Sequence, residues 1–415
     1  MKMRFNKYTL KIDNGNKTIL YNIITKILIE VDYNINCIDD EFFSNLSKED
    51  EEEYREKLLI SDDENDDILE MEKIKYDYNH QKEIGHFMIH MGYACNLKCT
   101  YCYQSVIDSV DKNMKINPKN VIDFIIKAAR ENCFDVLDIC FIGGEPLLYR
   151  MEMIQIAECL NRELEDMQIL YSVVTNGTLM DNMDDLVNCG IIDYQITLDG
   201  PQKIHDIFRR NGKVGSYAQI VRNIQNVMKN YPEIFISLNC NLTEKNYNYI
   251  EELFYELGRE NIEVPIMFSM VFDNGVNIAL ECHSHNNIWK NAHKVAINHG
   301  QQFDPFYRDL YLGCALTQEN YFVIGADEGL YKCINAVNDK NYYVSQIKDY
   351  GSPKYKEYLS KFLNYEINNR ECKLCELYPV CFGGCKYRNE INGFQCNKEE
   401  IYKNEIEIIR MMINA

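Results

Sequence analysis

Apolar and polar positions follow two different periods along the chain. The segments RFNKYTLKI and KTILYNI alternate on either side of the turn DNGN at residues 13–16. They predict a β-hairpin, because Asn-Gly tolerates the positive φ angles of a tight turn. From GHFMIHMGYAC as far as VPIMFSMVF, strand patterns alternate with helix patterns. This alternation predicts an α/β fold with a parallel sheet.

Six strands of that sheet can be read from the sequence. They are GHFMIHM, VLDICFI, ILYSVVT, DYQITL, FISLNCNL and VPIMFSMVF, and Asn117 with Pro118 begins a helix between the first two. Six parallel units predict a partial (β/α)6 barrel, in which the chemistry gathers at the carboxyl ends of the strands. A small strand-and-helix module fills residues 1–80, where Ser47 and Asp50 predict a capping box.

Polar motifs follow three of the predicted strands. They are Gly143-Gly144-Glu145-Pro146, Thr175-Asn176-Gly177 and Thr197-Leu198-Asp199-Gly200. Glycines allow a ligand to approach the backbone closely, and a carboxylate can hold an ammonium group. Each motif taken alone is also an ordinary strand-to-helix turn.

Composition and charge exclude several classes of protein. The 415 residues carry a formal net charge of -20, which argues against a nucleic-acid partner. No apolar run is long enough to cross a bilayer, and MKMRFNKYTLKI lacks the features of a signal peptide. We therefore expect a cytoplasmic protein without a membrane partner, whose clustered cysteines bind metal instead of forming disulfides.

Cysteine spacing is the strongest chemical signal. Cys95, Cys99 and Cys102 offer three thiolates from one short loop, so a four-iron cluster held there keeps one iron open. A second block contains Cys372, Cys375, Cys381, Cys385 and Cys396. Spacing alone does not distinguish a structural zinc site from an iron-sulfur cluster in that block.

The run CNLKCTYC followed by GGEP resembles the radical S-adenosylmethionine (SAM) enzymes, and the later cysteines resemble the SPASM extension of that superfamily. The resemblance covers residues 84 to about 400. It implies that Cys95, Cys99 and Cys102 hold a [4Fe-4S] cluster whose open iron binds the amino and carboxylate groups of SAM. It also implies that an electron from the reduced cluster splits SAM and yields a 5'-deoxyadenosyl radical.

The family pattern also implies the SAM contacts. Glu145 and the backbone of Gly143 and Gly144 would hold the methionine ammonium. Arg209 would meet the carboxylate, with Arg210 as the alternative. The remaining contacts to ribose, methionine and adenine would come from Thr175, Asn176, Thr197, Asp199 and Tyr101. A packed core tyrosine is the competing interpretation of Tyr101.

The SPASM resemblance implies a domain over residues 310–400 with two auxiliary [4Fe-4S] clusters, followed by a C-terminal helix over 401–415. One cluster would be held by Cys372, Cys375, Cys381 and Cys396. The other would be held by Cys314, Cys333 and Cys385. Its fourth iron is either open to a substrate thiolate or closed by another residue such as Cys282.

SPASM proteins with this layout resemble maturases of ribosomally made peptides, so we predict a precursor peptide as substrate and a cysteine thioether as product. The first 80 residues would then be a winged-helix-like module that binds the peptide leader as an added strand, or a plain capping module. The electron donor would be a low-potential carrier such as ferredoxin or flavodoxin. The alternatives are formylglycine formation, as in anaerobic sulfatase maturation, and an iron-sulfur electron carrier without chemistry of its own. The sequence identifies no catalytic acid or base.

Overall fold

The computed structural model describes residues 3–36, 38–102, 104, 111–271, 285–302, 314–363, 370–393, 396 and 398–414. The chain forms two units, each built from separate stretches of sequence. The sheet unit comprises Lys82–Gln302 and Asn320–Leu363, and the terminal unit comprises Met1–Gln81, Phe303–Glu319 and Asn364–Ala415. No helix within the described ranges is long and apolar enough to cross a bilayer.

The N-terminal part of the terminal unit contains five strands and three helices. They are β1 (Arg4–Phe5), β2 (Thr9–Asn14), β3 (Lys17–Asn22), β4 (Leu28–Val31), α1 (Ile38–Asn45), α2 (Lys48–Glu56), β5 (Ile60–Ser61) and α3 (Glu64–Asn79). Strands β2, β3 and β4 form an antiparallel sheet. The predicted hairpin is confirmed, with Gly15 at a φ of 76° in its turn. The N-cap half of the predicted capping box is confirmed, because the backbone N–H of Asp50 donates to Ser47 Oγ over 3.0 Å. The Asp50 carboxylate accepts from Ser47 Oγ over 2.6 Å.

The sheet unit is built on parallel strands with helices between them. The strands are β6 (Ile84–His90), β7 (Val136–Ile142), β8 (Gln168–Thr175), β9 (Ile191–Thr197), the short pair β10 (Arg210–Asn211) and β11 (Val214–Gly215), β12 (Phe235–Leu242) and β13 (Ile266–Met270). The helices are α4 (Pro118–Asn132), α5 (Arg150–Glu163), α6 (Asp184–Asn188), α7 (Gln202–Phe208), α8 (Tyr217–Asn230), α9 (Ile250–Arg259) and α10 (His285–Asn298). All six predicted strands and the helix beginning at Pro118 are confirmed.

Strand order in the sheet follows the chain. Strands β6, β7, β8, β9, β12 and β13 lie side by side and are all parallel. This sequential order is that of a barrel wall, whereas a doubly wound sheet reverses its order at a switch point. The carboxyl ends of all six strands therefore meet at one edge of the sheet.

Three later strands extend this sheet beyond β6. They are β14 (Tyr321–Ile324), β15 (Gly329–Tyr331) and β16 (Tyr343–Gln346), followed by α11 (Pro353–Leu363). Strand β14 is parallel to β6, and β15 and β16 continue antiparallel. Phe322 of β14 stacks on Phe87 of β6 with ring centroids 4.9 Å apart, and both rings meet Phe124 of α4 edge-on. The predicted hairpin between Cys314 and Cys333 is thus present as part of the main sheet.

The C-terminal segment completes the terminal unit with α12 (Arg370–Lys373), α13 (Tyr378–Cys381), α14 (Lys386–Asn392) and α15 (Lys398–Asn414). One face of the N-terminal antiparallel sheet packs against these helices. The buried residues of that contact are Leu10, Ile12, Ile19, Tyr21, Ile23, Leu377, Val380, Ile401 and Ile409. The opposite face packs against α1 and the segment before β5, through Leu20, Phe42 and Leu59.

The division into domains 1–80, 84–300, 310–400 and 401–415 stays a prediction, and each of the two units draws on more than one of these segments. The 310–400 segment is shared by both units, because β14 to β16 belong to the main sheet. The helix over 401–415 joins the N-terminal residues, because both faces of their sheet are apolar and need a cover.

Candidate active site

The cysteine loop begins directly after β6, at the carboxyl edge of the parallel sheet. Its backbone is held at two points: the Lys98 N–H donates to the Arg210 carbonyl and the Thr100 N–H donates to the Phe208 carbonyl, each over 2.9 Å. These two hydrogen bonds flank Cys99. The loop is therefore fixed against the segment that follows α7.

The three thiols of the loop lie within electrostatic reach of one another. Burial raises the pKa of Cys99 to about 11, and the charges of Cys95 and Cys102 add to the rise. Burial also raises the pKa of Cys95. Thiols with raised pKa values must lose protons when they bind metal, so metal binding here releases protons.

Within the described ranges, no three Cys, His, Asp or Glu side chains are arranged tightly enough for a single metal ion. A four-iron cluster requires a different arrangement of ligands, because each thiolate binds a different iron atom. Three thiols from one anchored loop fit that donor set.

The Gly-Gly turn after β7 packs directly on the start of the cysteine loop. Gly144 N–H donates to the Gly92 carbonyl and Glu145 N–H donates to the Ala94 carbonyl, each over 2.9 Å. A Cβ atom at Gly144 would lie 2.3 Å from the Ala94 carbonyl oxygen. Glycine is thus required here by the backbone of the loop itself.

Glu145 ties the ends of β7 and β8 together. Its buried carboxylate accepts hydrogen bonds from Thr175 Oγ1 at 2.6 Å, from the Asn176 N–H at 2.8 Å and from the Leu147 N–H at 3.0 Å. Burial raises the pKa of Glu145, and these three donors oppose the rise. The carboxylate is therefore a structural acceptor for the neighbouring turn, in addition to any ligand contact.

Asn176 connects the turn after β8 to the cysteine loop. Its Nδ2 donates to Asn96 Oδ1 over 2.8 Å and lies 4.0 Å from Cys95 Sγ. Asn96 Nδ2 in turn donates to Thr178 Oγ1 over 2.8 Å. Sequence reasoning missed Asn96, which lies within the cysteine loop, and Thr178, which directly follows the Thr175-Asn176-Gly177 motif.

Asp199 and Tyr101 form the centre of a buried polar group at the end of β9. The Tyr101 hydroxyl donates to Asp199 Oδ2, and it accepts from Arg209 Nη1 at 2.7 Å and from Asn241 Nδ2 at 3.2 Å. Arg209 Nη1 lies 3.7 Å from Asp199 Oδ2. Burial raises the pKa of Asp199, and the Arg209 charge opposes the rise. Sequence reasoning missed Asn241, which lies within β12.

The two adjacent arginines differ in their surroundings. Arg209 is buried, and its Nε has no hydrogen-bond partner among the residues that the structure describes. Arg210 is exposed and contributes its carbonyl oxygen to the loop contact. Thr197 is buried one residue before the Leu198-Asp199 turn. Of the two arginines, Arg209 is the one directed toward the polar group of Tyr101 and Asp199.

His205, which was not predicted, contacts this polar group through Asp199. Its Nδ1 accepts from the Asp199 N–H at 3.2 Å, and its Nε2 contacts Ser216 Oγ at 2.9 Å. Ser216 Oγ donates to the Arg209 carbonyl over 2.8 Å. Burial holds the pKa of His205 well below its usual value, so the ring is neutral and its Nε2–H faces Ser216.

The later cysteines are divided between the units. Cys372, Cys375, Cys381 and Cys396 belong to the terminal unit, where burial and the charges of the other three raise the pKa of Cys372 to about 11. Cys314 and Cys385 also belong to the terminal unit, and Cys333 belongs to the sheet unit. Cys282 lies outside the described residues.

Comparison with known proteins finds similar sequences that include this edge of the sheet. The Radical SAM superfamily model matches residues 89–257, which include the cysteine loop and all three polar motifs. A cysteine-type anaerobic sulfatase-maturating enzyme from Clostridium perfringens is 26% identical over 332 residues, covering 71% of this chain and 86% of that protein.

Two solved structures share the fold. Native anSMEcpe with bound AdoMet, which is SAM, has a TM-score of 0.64 at 21% identity, covering 80% of this chain and 99% of that one. SuiB from Streptococcus suis bound to precursor peptide SuiA has a TM-score of 0.54 at 15% identity, covering 94% and 97%. Residues 89–257 thus match the Radical SAM superfamily, and the chain is similar to the anaerobic sulfatase-maturating enzymes and shares its fold with SuiB.

Proposed function

We propose that this enzyme is a peptide maturase that removes a hydrogen atom from a ribosomally made precursor peptide and forms a cysteine thioether. One observation carries the radical chemistry: the cysteine loop, the Gly-Gly turn and the Thr-Asn-Gly turn are hydrogen-bonded to one another at one edge of the sheet. When bound, a reduced [4Fe-4S] cluster with SAM supplies a 5'-deoxyadenosyl radical, and the protein orients it.

In this proposal Cys95, Cys99 and Cys102 hold the cluster. Glu145 with the backbone of Gly143 and Gly144 binds the methionine ammonium. Thr175, Asn176, Thr197 and Asp199 serve the ribose and the methionine, and Tyr101 lies near the adenine. Arg209 binds the carboxylate, which the unpaired buried Nε supports, because a guanidinium has donors left for a planar acceptor.

The cysteines proposed to hold the auxiliary clusters support a thioether product. Cys372, Cys375, Cys381 and Cys396 hold one [4Fe-4S] cluster, and Cys314, Cys333 and Cys385 hold a second. With three cysteines the second cluster keeps an iron for a substrate thiolate, unless Cys282 or another residue closes it. The reducing cytosol is the compartment in which such clusters and free thiols persist.

A peptide substrate is supported by two relatives. SuiB has been solved with its precursor peptide SuiA, and a structure of anSMEcpe contains a peptide, Kp18Cys. In this chain the antiparallel sheet of β2, β3 and β4 has helices on both faces, so an added leader strand would pair at an edge. We assign leader binding to this winged-helix-like module.

Anaerobic reconstitution tests the proposal. With dithionite and SAM, the enzyme should release 5'-deoxyadenosine, and Cys99→Ala should abolish the release. Cys159→Ala is the matched control, because this residue lies on the outer helix α5. A precursor peptide encoded beside the gene should lose two hydrogen atoms and one alkylatable thiol. A peptide that loses neither would overturn the thioether product.

Formylglycine formation is the second candidate, because a sulfatase-maturating enzyme is 26% identical over 332 residues. That family resemblance implies an aspartate base immediately after the cysteine of the GLYKC segment, and here Ile334 follows Cys333. Activation of a co-expressed sulfatase would establish this candidate instead. An electron carrier without chemistry would release no 5'-deoxyadenosine in the same assay.

A further inference from the structure

Charge is distributed unevenly around the cysteine loop. The chain has 64 acidic and 44 basic residues, yet residues 84–107 contain no Asp or Glu. Residues 200–220 contain one acidic residue, Asp206, against the four basic residues Lys203, Arg209, Arg210 and Lys213. These two stretches are joined by the backbone hydrogen bonds that flank Cys99. A cationic surface therefore lies beside the cysteine loop of a strongly anionic protein.

Within the part of the chain that the structure describes, three cations of this surface have no partner of opposite charge. Lys98, Arg210 and Lys213 are exposed, and none of them forms an ion pair with any residue that the structure describes. Lys203 differs, because its Nζ lies 2.7 Å from Glu252 Oε2. Asp206 is also engaged, since its Oδ1 accepts from the Tyr217 N–H at 2.9 Å. The surface thus keeps a local positive charge for a binding partner.

Apolar side chains lie among these cations. Ile207, near the end of α7, is 54% exposed, and Val214, in β11, is 72% exposed. Two large apolar side chains with a rim of unpaired cations have the composition of a transient protein interface. Opposite charge on a partner would raise the rate of encounter and fix its orientation.

We propose that the cationic surface formed by Lys98, Ile207, Arg210, Lys213 and Val214 docks a small acidic one-electron carrier protein of the flavodoxin or ferredoxin type. This inference rests on the proposed function, because the loop must hold a cluster that needs an electron. One electron leaves the reduced centre of the carrier and enters the cluster, and no atom is transferred.

The position of the surface supports this role. Lys98 is the neighbour of Cys99, and the Arg210 carbonyl accepts from the Lys98 N–H. A carrier on this surface would therefore stand directly beside the cluster and would not need the auxiliary clusters as an electron path. The rest of the protein is acidic and repels an acidic carrier, so the carrier should bind preferentially at the cationic surface.

Charge reversal with two electron sources tests the proposal. We compare Lys213→Glu/Val214→Glu with the unchanged enzyme, using reduced flavodoxin or reduced ferredoxin, whichever drives faster 5'-deoxyadenosine release. Kcat/KM for the carrier should fall roughly tenfold or more, because steering by opposite charge contributes factors of this size. Release driven by dithionite, which needs no docking, should stay unchanged together with the iron content.

Met228→Glu/Lys229→Glu is the matched control. It makes the same change in net charge on α8, where both side chains are exposed. The control should keep the full rate with the carrier. Added salt should slow the unchanged enzyme with the carrier more than it slows the Lys213→Glu/Val214→Glu variant.

Either of two results would overturn the docking surface. One is an equal carrier-driven rate in the two double variants. The other is an equal fall in the carrier-driven and dithionite-driven rates of 5'-deoxyadenosine release. Failure of either carrier to drive the unchanged enzyme, when dithionite does, would also overturn it. Failure with dithionite as well would instead remove the proposed radical function, and the docking proposal with it.

Discussion

Arg209 donates a hydrogen bond from Nη1 to the phenol oxygen of Tyr101 over 2.7 Å. Tyr101 lies between the second and third cysteines of the loop, so the contact joins the loop to a buried cation. The same phenol donates to Asp199 and accepts from Asn241 Nδ2 at 3.2 Å. A single hydroxyl thereby anchors the cysteine loop to residues that follow β9 and lie in β12.

Replacing Tyr101 by Phe removes this hydroxyl and keeps the ring, whose centroid lies 6.2 Å from that of Phe208. Asp199 and Arg209 stay buried with one partner fewer, so we expect the free energy of unfolding to fall by roughly 1–3 kcal/mol. Iron retention after reconstitution should fall as well, because the loop loses its anchor. Chemical unfolding of the metal-free protein and iron analysis measure the two effects.

Tyr76→Phe is the control for that change, because Tyr76 in α3 is 62% exposed. It should alter the free energy of unfolding by less than about 0.5 kcal/mol. Similar losses in the two variants would mean that the Tyr101 hydroxyl anchors nothing.

The sequence identified Tyr101, Asp199 and Arg209 but could not identify their mutual contacts. Each belongs to a local motif, whereas Asn241 is 42 residues away from Asp199 and belongs to a strand whose pattern is apolar. His205 was missed for a similar reason. A histidine on a short helix carries no signal of its own until the fold brings its Nδ1 to the Asp199 N–H.

Gly144→Ala tests the close approach of the Gly-Gly turn and the cysteine loop. The added Cβ would lie 2.3 Å from the Ala94 carbonyl oxygen, which is backbone and cannot rotate away. We expect a loss of about 1–3 kcal/mol in the free energy of unfolding and weaker SAM binding, because the loop must shift. Thermal unfolding and isothermal titration of the reconstituted protein with SAM measure both.

Gly258→Ala should have the opposite effect on the free energy of unfolding. Gly258 lies within α9, and a Cβ there meets nothing within 4 Å. Alanine should therefore stabilise the protein by about 0.5–1 kcal/mol through helix propensity. The argument would be wrong if Gly258→Ala lowered the free energy of unfolding and Gly144→Ala left it unchanged.

Local patterns predicted the six parallel strands because each is an apolar run bounded by turn residues. They could not predict that β14 adds to the same sheet beside β6, since that pairing joins residues more than 200 positions apart. Nor could they predict that α15 covers the N-terminal sheet. Ile409 and Leu10 each have an ordinary apolar pattern, and only the fold shows that they share one core.

Cys375→Ala tests the proposed cluster of the terminal unit. Cys372, Cys381 and Cys396 would be left with an incomplete set of thiolates, so we expect the iron content to fall by about 4 atoms per chain. The cluster proposed for the Cys95 loop would lie in the other unit, so dithionite-driven release of 5'-deoxyadenosine should persist. Cys159→Ala is the control and should lose no iron. Zinc in place of iron in the unchanged protein would contradict this prediction.

His90, the last residue of β6, is a buried histidine that the sequence did not single out. Gln104 Nε2 donates to the Gly143 carbonyl over 3.2 Å and lies 3.1 Å from His90 Nε2. A carbonyl can only accept, so the Gln104 atom is the amide nitrogen and His90 Nε2 must accept. The neutral ring with its proton on Nδ1 fits this arrangement, and protonation of Nε2 would break it.

We therefore expect stability to depend on pH through His90. Burial lowers the pKa of His90 to about 4, whereas an unfolded histidine titrates near 6.5. Between these values the unfolded chain binds more protons, so stability present above about pH 6.5 is lost as the pH falls toward 4. The loss amounts to about 3 kcal/mol for this one group.

His90→Gln keeps an acceptor near the position of Nε2 and removes the titration. Denaturant unfolding of the metal-free protein at several pH values between 4 and 7 should give a shallower pH dependence for this variant. His293, also buried, has its pKa lowered to about 4, so His293→Asn should flatten the curve by a similar amount. The two changes should add, because each histidine titrates independently. An unchanged slope in His90→Gln would show that the ring is not held neutral.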